Sequence, residues 1–396
     1  MPDTFDVVIL SPGMHHHGGT LKERSLGGSE ASAIHIARAL ARRHHTVTVL
    51  SPGHQGGSWD GVTYVPIEQA PAFFAATPHD VTIVSRQFDA FGMTMQTRLS
   101  VLWCHDLAMK RSRAMLGGVA WSIDRIYVLS EFQHRQYREV HGPLLGDDIY
   151  HVTHNGIDLE AFAGLSRVPK HRDKLVYGSR PERGLENALN IMDRLAQLGS
   201  DLVLHFCCYD NVVPEMRPLY EHLWQRAAGM RNVKNLGFLK QADWHREIAS
   251  SLACIYPGAA GDFREISCLV SLEAQTCGVP VVAINQGALP ESIGDAGILL
   301  GDEATNPSTE DYQEQFARTL MELQANVSES VRLSKRGVQR ARDMDWSDVA
   351  RDWELDWERQ FSAQRNSDVR LLTHCRRTGD FELATWLEGQ SPLPFP

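Results

Sequence analysis

The stretch that most constrains this chain runs from Glu265 to Ile284, reading EISCLVSLEAQTCGVPVVAI. Ser267 is a good N-cap, Leu269 and Leu272 lie at helical spacing, and Gly278 followed by Pro280 stops the helix. Val281 to Ile284 then reads as a short buried strand. Glu265 therefore falls in the loop before the helix, and Glu273 well inside it. Both carboxylates can border one pocket, beside a helix N-terminus around Ile266, Ser267, Cys268 and Leu269 whose free N–H groups favour an anion. Two acids and an anion site suit a ligand with many hydroxyls and a phosphate, as in a nucleotide sugar. The stretch also reads more plainly as a capped amphipathic helix with two solvated acids.

The rest of the chain sets limits on that site. With 396 residues it is long enough for two domains, each with its own core. Hydrophobic residues at 43% and charged ones at 22% describe a soluble globular protein. No apolar run reaches the roughly 18 residues a spanning helix needs. The opening, MPDTFDVVILSPG, has no basic n-region, so no signal peptide is expected. Seven cysteines without Cys-x-x-Cys spacing read as small apolar residues in a reducing cytosol. A net charge of −10 argues against broad electrostatic contact with nucleic acid.

In order along the chain, Asp6 to Leu10 is an apolar strand ended by Ser-Pro-Gly, and a glycine-bearing loop, Met14 to Glu30, follows. Ala31 to Arg42 reads as a helix and Val47 to Leu50 as the next strand, the opening half of a doubly wound α/β domain. The turn at Gly27 and Gly28 lets backbone approach a ligand closely. His15, His16 and His17 invite a metal, yet adjacent imidazoles point apart and no partner stands at ligand spacing, so His16 is assigned to a loop lining the substrate. Val81 to Ser85 and Val101 to Trp103 are further strands. The second delivers His105 to a strand's carboxyl end, where ligands bind in open α/β sheets. Lys110, Arg111 and Arg113 follow, a basic run that reads as a solvated face or as a contact for an anionic acceptor or membrane headgroups. Ile126 to Leu129 is one more strand.

A polar run from Ser166 to Lys174 reads as a linker to a second domain, which opens with the strand Lys174 to Tyr177. Arg180 and Arg183, before a helix start at Gly184-Leu185, make a good diphosphate clamp, because guanidinium groups bind phosphate oxygens bidentately. Strands at Leu202–Cys207, Asn232–Leu236 and Ala253–Pro257 follow, with a helix beginning near Asp243. Late helices span Tyr312–Leu323 and about 328–342. Trp346, Val349, Ala350, Trp353, Trp357 and Phe361 then form an apolar stripe that suits packing. Phe381 to Leu387 reads as a further helical stretch. Asp343-Met344-Asp345 is the only close match to a metal-holding Asp-x-Asp, and Asp345 fits an N-cap there.

Taken together, a Glu, seven residues, a Glu, then Ala-x-x-x-Gly-x-Pro-Val-Val resembles the donor-site signature of retaining GT-B glycosyltransferases, particularly glycosyltransferase family 4. The likeness covers most of residues 5 to 361 and includes a Gly-Gly-x-Glu loop at Gly27-Gly28, a His-Asp at His105-Asp106 and a loop from Asn285 to Glu291 that resembles the family's Gly-x-x-Glu loop near the phosphates. It implies an α/β GT-B fold: two Rossmann-like doubly wound domains, 1–165 and 170–345, facing a central cleft, with helices and tail in 346–396 crossing back to the first. It implies that Glu265 contacts the donor sugar, Glu273 holds the ribose hydroxyls, His105 faces the sugar, and Phe238 and Leu239 offer backbone contacts to the base. Where the family has a lysine, this chain has Arg183, which keeps the charge and alters the reach.

The activity implied is transfer of a sugar from a nucleotide-diphosphate donor to a glycan, lipid-linked or small-molecule acceptor, with retention and without an obligatory metal or other cofactor. The expected place is the cytoplasm, with peripheral membrane contact. Three other readings stay open: a GT-B nucleotide-sugar epimerase, a non-catalytic nucleotide-sugar sensor, and, as a minor one, a transferase acting on DNA.

Overall fold

The structure, a computed structural model, describes residues 4–24, 26–208, 212 and 214–378. The chain forms two compact units, residues 1–349 and 350–396. The first holds two sheets.

The first sheet contains β1 (Asp6–Leu10), β2 (Thr46–Ser51), β3 (Gly57–Trp59), β4 (Val62–Pro66), β5 (His79–Ser85), β6 (Thr97–Trp103), β7 (Arg125–Val128) and β8 (Tyr150–Val152). Their order is β3-β4-β2-β1-β5-β6-β7-β8. All neighbours are parallel except β3 and β4. The connecting helices are α1 (Thr20–Glu23), α2 (Gly28–Arg42), α3 (Ala70–Ala76), α4 (Arg113–Val119) and α5 (Glu131–His141). Val7 to Ile9 and Val101 to Trp103 are buried on both faces, which is why these strands read as unbroken apolar runs rather than alternating ones.

The second sheet contains β9 (His171–Tyr177), β10 (Val203–Phe206), β11 (Val233–Asn235), β12 (Ser251–Tyr256), β13 (Val281–Ile284) and β14 (Gly297–Leu300). Its order is β11-β10-β9-β12-β13-β14, parallel throughout. It carries α6 (Leu185–Gln197), α7 (Arg217–Ala228), α8 (Gln241–Ala249), α9 (Leu269–Thr276), α10 (Leu289–Ile293), α11 (Glu310–Ala325) and α12 (Val327–Ala341). Last comes α13 (Trp346–Thr378), which continues across the boundary between the two units. In the second unit Trp353 and Trp357 are buried and Phe361 is half-buried.

In each sheet the chain reverses direction of winding beside its first strand, between β1 and β5 and between β9 and β12. Such switch points open a crevice at the carboxyl ends of the strands, and ligands of doubly wound folds bind there.

Several sequence expectations need correction. Ser267 is not the cap of α9. That helix starts at Leu269 after Cys268, which makes no side-chain cap, and the Ser267 hydroxyl is engaged elsewhere. The 166–174 run is not an extended linker: Leu165–Arg167 form a turn of 3-10 helix and β9 already begins at His171. The charged residues His171 to Lys174 hid a strand whose outer half is polar. The apolar stripe from Trp346 to Phe361 lies on a helix that runs on to Thr378. The stretch 381–387 lies outside the described residues. Asp345 behaves as expected, its carboxylate accepting from Ser347 N–H at 2.7 Å.

Candidate functional site

Glu265 sits in the loop between β12 and α9 and is buried. Burial of a carboxylate demands partners, and this one has them. Its Oε1 accepts from the Ile266 N–H at 3.1 Å and the Ser267 N–H at 3.4 Å. Its Oε2 accepts from the Tyr256 hydroxyl at 3.0 Å and lies 3.5 Å from Nη1 of Arg183. The backbone carbonyl of Glu265 accepts from Ala288 N–H at 2.7 Å, so the 285–291 loop braces it from behind.

Arg183 reaches this carboxylate from the turn after β9, its guanidinium 4.9 Å from the centre of the Phe263 ring. The turn needs glycine: Gly184 has φ +127°, and a Cβ there would stand 2.5 Å from the Gly258 carbonyl oxygen. Arg180 goes another way. It pairs with Glu182 at 3.0 Å and approaches the Tyr220 hydroxyl at 3.4 Å, while Tyr220 donates to Glu182. The two arginines of the expected clamp thus lean on different supports, Arg183 toward Glu265 and Arg180 toward α7. Cys268 cannot serve as a nucleophile near neutral pH. Burial first, then the charge of Glu265, push its thiol up to about 12.

The first sheet meets this arrangement at the N-terminus of α9. Gly27 precedes α2, and a Cβ on it would come within 2.4 Å of Glu30 Oε2, so the turn closes tightly over that carboxylate. Glu30 braces the loop from inside, accepting from Met14 N–H at 3.2 Å and from the Ser29 hydroxyl at 3.0 Å. A Cβ on Gly28 would lie 3.2 Å from Leu269 Cδ1, which brings the first turns of α2 and α9 together. A relay ties them: Ser32 donates to Asn155 Oδ1 at 2.9 Å, and Asn155 Nδ2 donates to the Ser267 hydroxyl at 3.0 Å. Two helix N-termini so placed present N–H groups and partial positive charge to one space.

His105 follows β6, as the sequence implied. Its ring meets Trp103 edge-on at 4.2 Å, and its buried Nε2 has no hydrogen-bond partner in the structure. Burial first, then the charge of Arg86, lower its pKa to about 3, so the imidazole is neutral. Arg86 itself was not foreseen. It holds φ +69° at the end of β5, donates to both oxygens of Asp106 at 2.8 and 2.9 Å, and reaches the Ser29 hydroxyl at 3.3 Å. A left-handed arginine at the switch-point strand is the kind of local strain that clusters at functional sites. The signal available in the sequence was only its place directly after a strand.

Glu273 lies on α9, one turn beyond Leu269. Its Oε2 accepts from Trp244 Nε1 at 3.3 Å and its Oε1 is 3.7 Å from His245 Nε2. It opens on a cavity of about 210 Å³ between α2 and α8, with Ser32, His35, Gln241 and Leu269 in the wall. Glu265 borders a different, far smaller space of about 10 Å³. The expectation that both acids line one pocket is therefore corrected: Glu265 stands in the loop before α9 and Glu273 one turn inside it, and each lines a separate cavity. Phe238 is 65% exposed after β11, with Leu239 partly buried beside it. Ile266 is buried.

His16 is buried, with Nδ1 2.8 Å from the Met14 carbonyl and Nε2 unpartnered. His17 stacks on Trp59 at 4.4 Å. Among the described residues no group of three His, Cys, Asp or Glu side chains is placed to hold a metal. Lys110, Arg111 and Arg113 are exposed on the turn before α4 and at its start.

With this geometry in place, residues 173–326 match the family described as Glycosyl transferases group 1. The chain has the GT-B fold of these glycosyltransferases. The O-antigen chain mannosyltransferase B of Escherichia coli is 32% identical over 127 residues, 31% of this chain and 30% of that protein. The alpha-maltose-1-phosphate synthase of Mycobacterium tuberculosis is 27% identical over 229 residues, 52% of this chain and 56% of that protein. The chain thus matches less than two thirds of the length of either relative. The fold is also similar to that of Anabaena HepE in complex with UDP and glucose, with a TM-score of 0.67 at 16% identity, covering 89% of this chain and 99% of that one.

Proposed function

We propose that this GT-B protein is a retaining glycosyltransferase that takes its sugar from a nucleotide-diphosphate donor without an obligatory metal. The observation that carries the reading is the meeting of the α2 and α9 N-termini beside Arg183 and Glu265, with the unpartnered Nε2 of His105 contributed from the first sheet. The diphosphate sits at the paired helix ends, where N–H groups and the guanidinium of Arg183 meet the charge that grows as the sugar bond breaks. Arg180, held by Glu182, adds its field at longer range.

The sugar lies toward Glu265 and His105. Glu265 is pinned through Tyr256, Arg183 and two backbone N–H groups. A carboxylate so engaged is suited to accept a hydrogen bond from a sugar hydroxyl and ill suited to attack the anomeric carbon. Departure of the diphosphate and entry of the acceptor on the same face then account for retention, with the leaving oxygens placed to take the acceptor's proton. His105, neutral, offers its ring nitrogen to a sugar hydroxyl. Glu273 takes the ribose hydroxyls at the mouth of the 210 Å³ cavity. The metal-holding Asp-x-Asp of the other transferase fold has no counterpart here, since Asp345 is spent on capping α13. The mannosyl and maltosyl products named for the relatives, and the UDP and glucose of HepE, support a hexose donor.

The test is a thermal-shift screen of UDP, GDP and ADP and their sugars, since a ligand of the native state raises its melting temperature by mass action. Turnover of the best donor with added EDTA follows, and NMR of the product's anomeric proton. Stabilisation by one nucleotide sugar and a retained anomer are expected. No shift with any of them would overturn the reading. Free nucleotide with isomerised sugar would mean an epimerase, binding without turnover a sensor, and activity lost to EDTA and restored by a divalent ion a metal-dependent enzyme.

A further inference from the structure

The first sheet presents a surface that the transfer chemistry does not use. Between Asp106 and Asp124 the chain carries no acid, in a protein with 49 of them, yet Lys110, Arg111 and Arg113 fall in that interval. All three are exposed, on the turn Lys110–Ser112 and the start of α4. Apolar side chains flank them: Met109 is 41% exposed, Met115 56% and Trp121 85%. Leu144, also exposed, borders α4, a Cβ on Gly117 falling 3.5 Å from its Cδ1. Only Leu116 of this helix is buried, so its anchoring is slight and its remaining faces are open.

Neither half of this pattern accounts for itself in water. Exposed cations alone are ordinary surface, but a tryptophan left 85% exposed loses the benefit of burying its ring. Its indole N–H is already bonded to the Gly118 carbonyl at 3.2 Å, so the ring turns outward without a polar need of its own. Cations interleaved with Trp and Met are what a headgroup interface accepts: the charges meet lipid phosphates and the apolar side chains enter the acyl boundary. In a protein of net charge −10, a local patch of three cations without acids favours approach to an anionic bilayer in one orientation. No described helix is long and apolar enough to cross a membrane, so the contact is a surface one.

We infer that the Met109–Trp121 segment with Leu144 is a docking surface for anionic phospholipid, holding the cleft next to the bilayer. Lys110 stands five residues beyond His105, so the docking segment follows directly on the strand end that carries His105. This goes beyond the transferase reading, and its failure would leave that reading standing.

The test is co-sedimentation of the whole protein with vesicles of phosphatidylcholine alone and with vesicles of equimolar phosphatidylcholine and phosphatidylglycerol, at low and high salt. Wild-type protein should pellet with the second and not the first. The Lys110→Glu, Arg111→Glu, Arg113→Glu triple variant should bind roughly a hundredfold more weakly, three cation contacts compounding. Trp121→Ala with Met115→Ser should weaken binding by roughly tenfold, with a loss that persists at high salt. Unchanged melting temperatures show that both variants are folded. Brominated acyl chains should quench wild-type fluorescence and quench Trp121→Phe less. Equal, weak pelleting with both vesicle types, or variants that bind like wild type, would overturn the proposal. So would loss of binding in the charge variant with none in the apolar one, which would mark a site for soluble anions.

Discussion

The two faces of the cleft are built differently. On the second sheet the site is local and self-supporting: Arg183, Tyr256, Glu265 and the start of α9 bond to one another within loops that follow two adjacent strands, β9 and β12. On the first sheet the site is dispersed. Glu30 and Ser29 come after β1, Arg86 after β5, and His105 and Asp106 after β6, and Arg86 ties the three strand ends together. The groups around Glu265 are already paired and aimed, whereas His16 and His105 on the first face, and His245 beside Glu273 on the second, each keep a buried imidazole nitrogen without a partner. On the transferase reading, the preorganised charge around Arg183 suits a departing diphosphate, and the spare imidazole nitrogens suit the hydroxyls of donor and acceptor.

The sharpest way to break this contrast is to remove its charged centre. Arg183→Ala should lower turnover by about 10²–10³-fold, while affinity for a nucleoside lacking the diphosphate hardly changes. Arg183→Lys should recover part of the rate, because the charge returns without the fork that meets phosphate oxygens. Equal losses for nucleoside and nucleotide sugar, measured by calorimetry beside kcat, would place Arg183 outside the chemistry. Next comes Glu273→Ala. A buried ribose pair that loses its acceptor should weaken donor binding by about 1–3 kcal/mol, read as Kd, with a smaller change in kcat. Donor affinity at the wild-type level would detach the 210 Å³ cavity from the nucleoside.

The contrast also explains what could be read in advance. Glu265, Glu273, Arg183 and the α9 turn lie in short stretches with capping and glycine signals, so spacing alone placed them on elements. Arg86 gave no such signal, because its importance comes from a strand order that brings β5 between β1 and β6. Strand order is set by crossover packing and leaves no mark on local spacing. The cap of α9 was misplaced for a related reason: the Ser267 hydroxyl serves Asn155, more than a hundred residues away, rather than its own helix. The polar start of β9 looked like a linker because its partners, Ser250 and Ser251, are themselves polar and lie across the sheet.

The imidazoles of the first face should also set an acid limit on stability. His105 has its pKa lowered to about 3 by burial and Arg86, and His35, beside the Glu273 cavity, to about 4 by burial before its charged neighbours act. Both start from 6.5 in the unfolded chain. Between those limits the unfolded state binds more protons, so stability falls as pH drops from 6.5 toward 4, by about 1.4 kcal/mol per pH unit for each such group once pH is well below 6.5. His35→Gln should remove one proton from that slope, seen as a flatter dependence of melting temperature on pH. An unchanged slope would mean that His35 is protonated in the folded protein.

The smallest effect tests whether the two faces act as one. Ser130 caps α5 by accepting from the Gln133 N–H at 3.1 Å. The two N–H groups before it, of Glu131 and Phe132, donate instead to the Glu291 carboxylate at 2.7 Å each. Glu291 belongs to α10 of the second sheet, so a helix of one face is finished by a side chain of the other. The sequence likeness put Glu291 near the donor phosphates; the structure engages its carboxylate at α5. An anion at a helix N-terminus is favoured by the exposed donors and by the dipole together, and losing a cap costs about 0.5–2 kcal/mol. Glu291→Ala should therefore lower the melting temperature by a few degrees, while Glu291→Gln, which keeps an acceptor and loses the charge, should lower it less. If the latch holds the cleft closed, both variants should also raise the donor KM with little change in kcat, because closure then costs more before chemistry begins. A melting temperature that falls with KM untouched would show that the capping bond only stabilises the fold, and that the two faces come together through the Ser32, Asn155 and Ser267 relay instead.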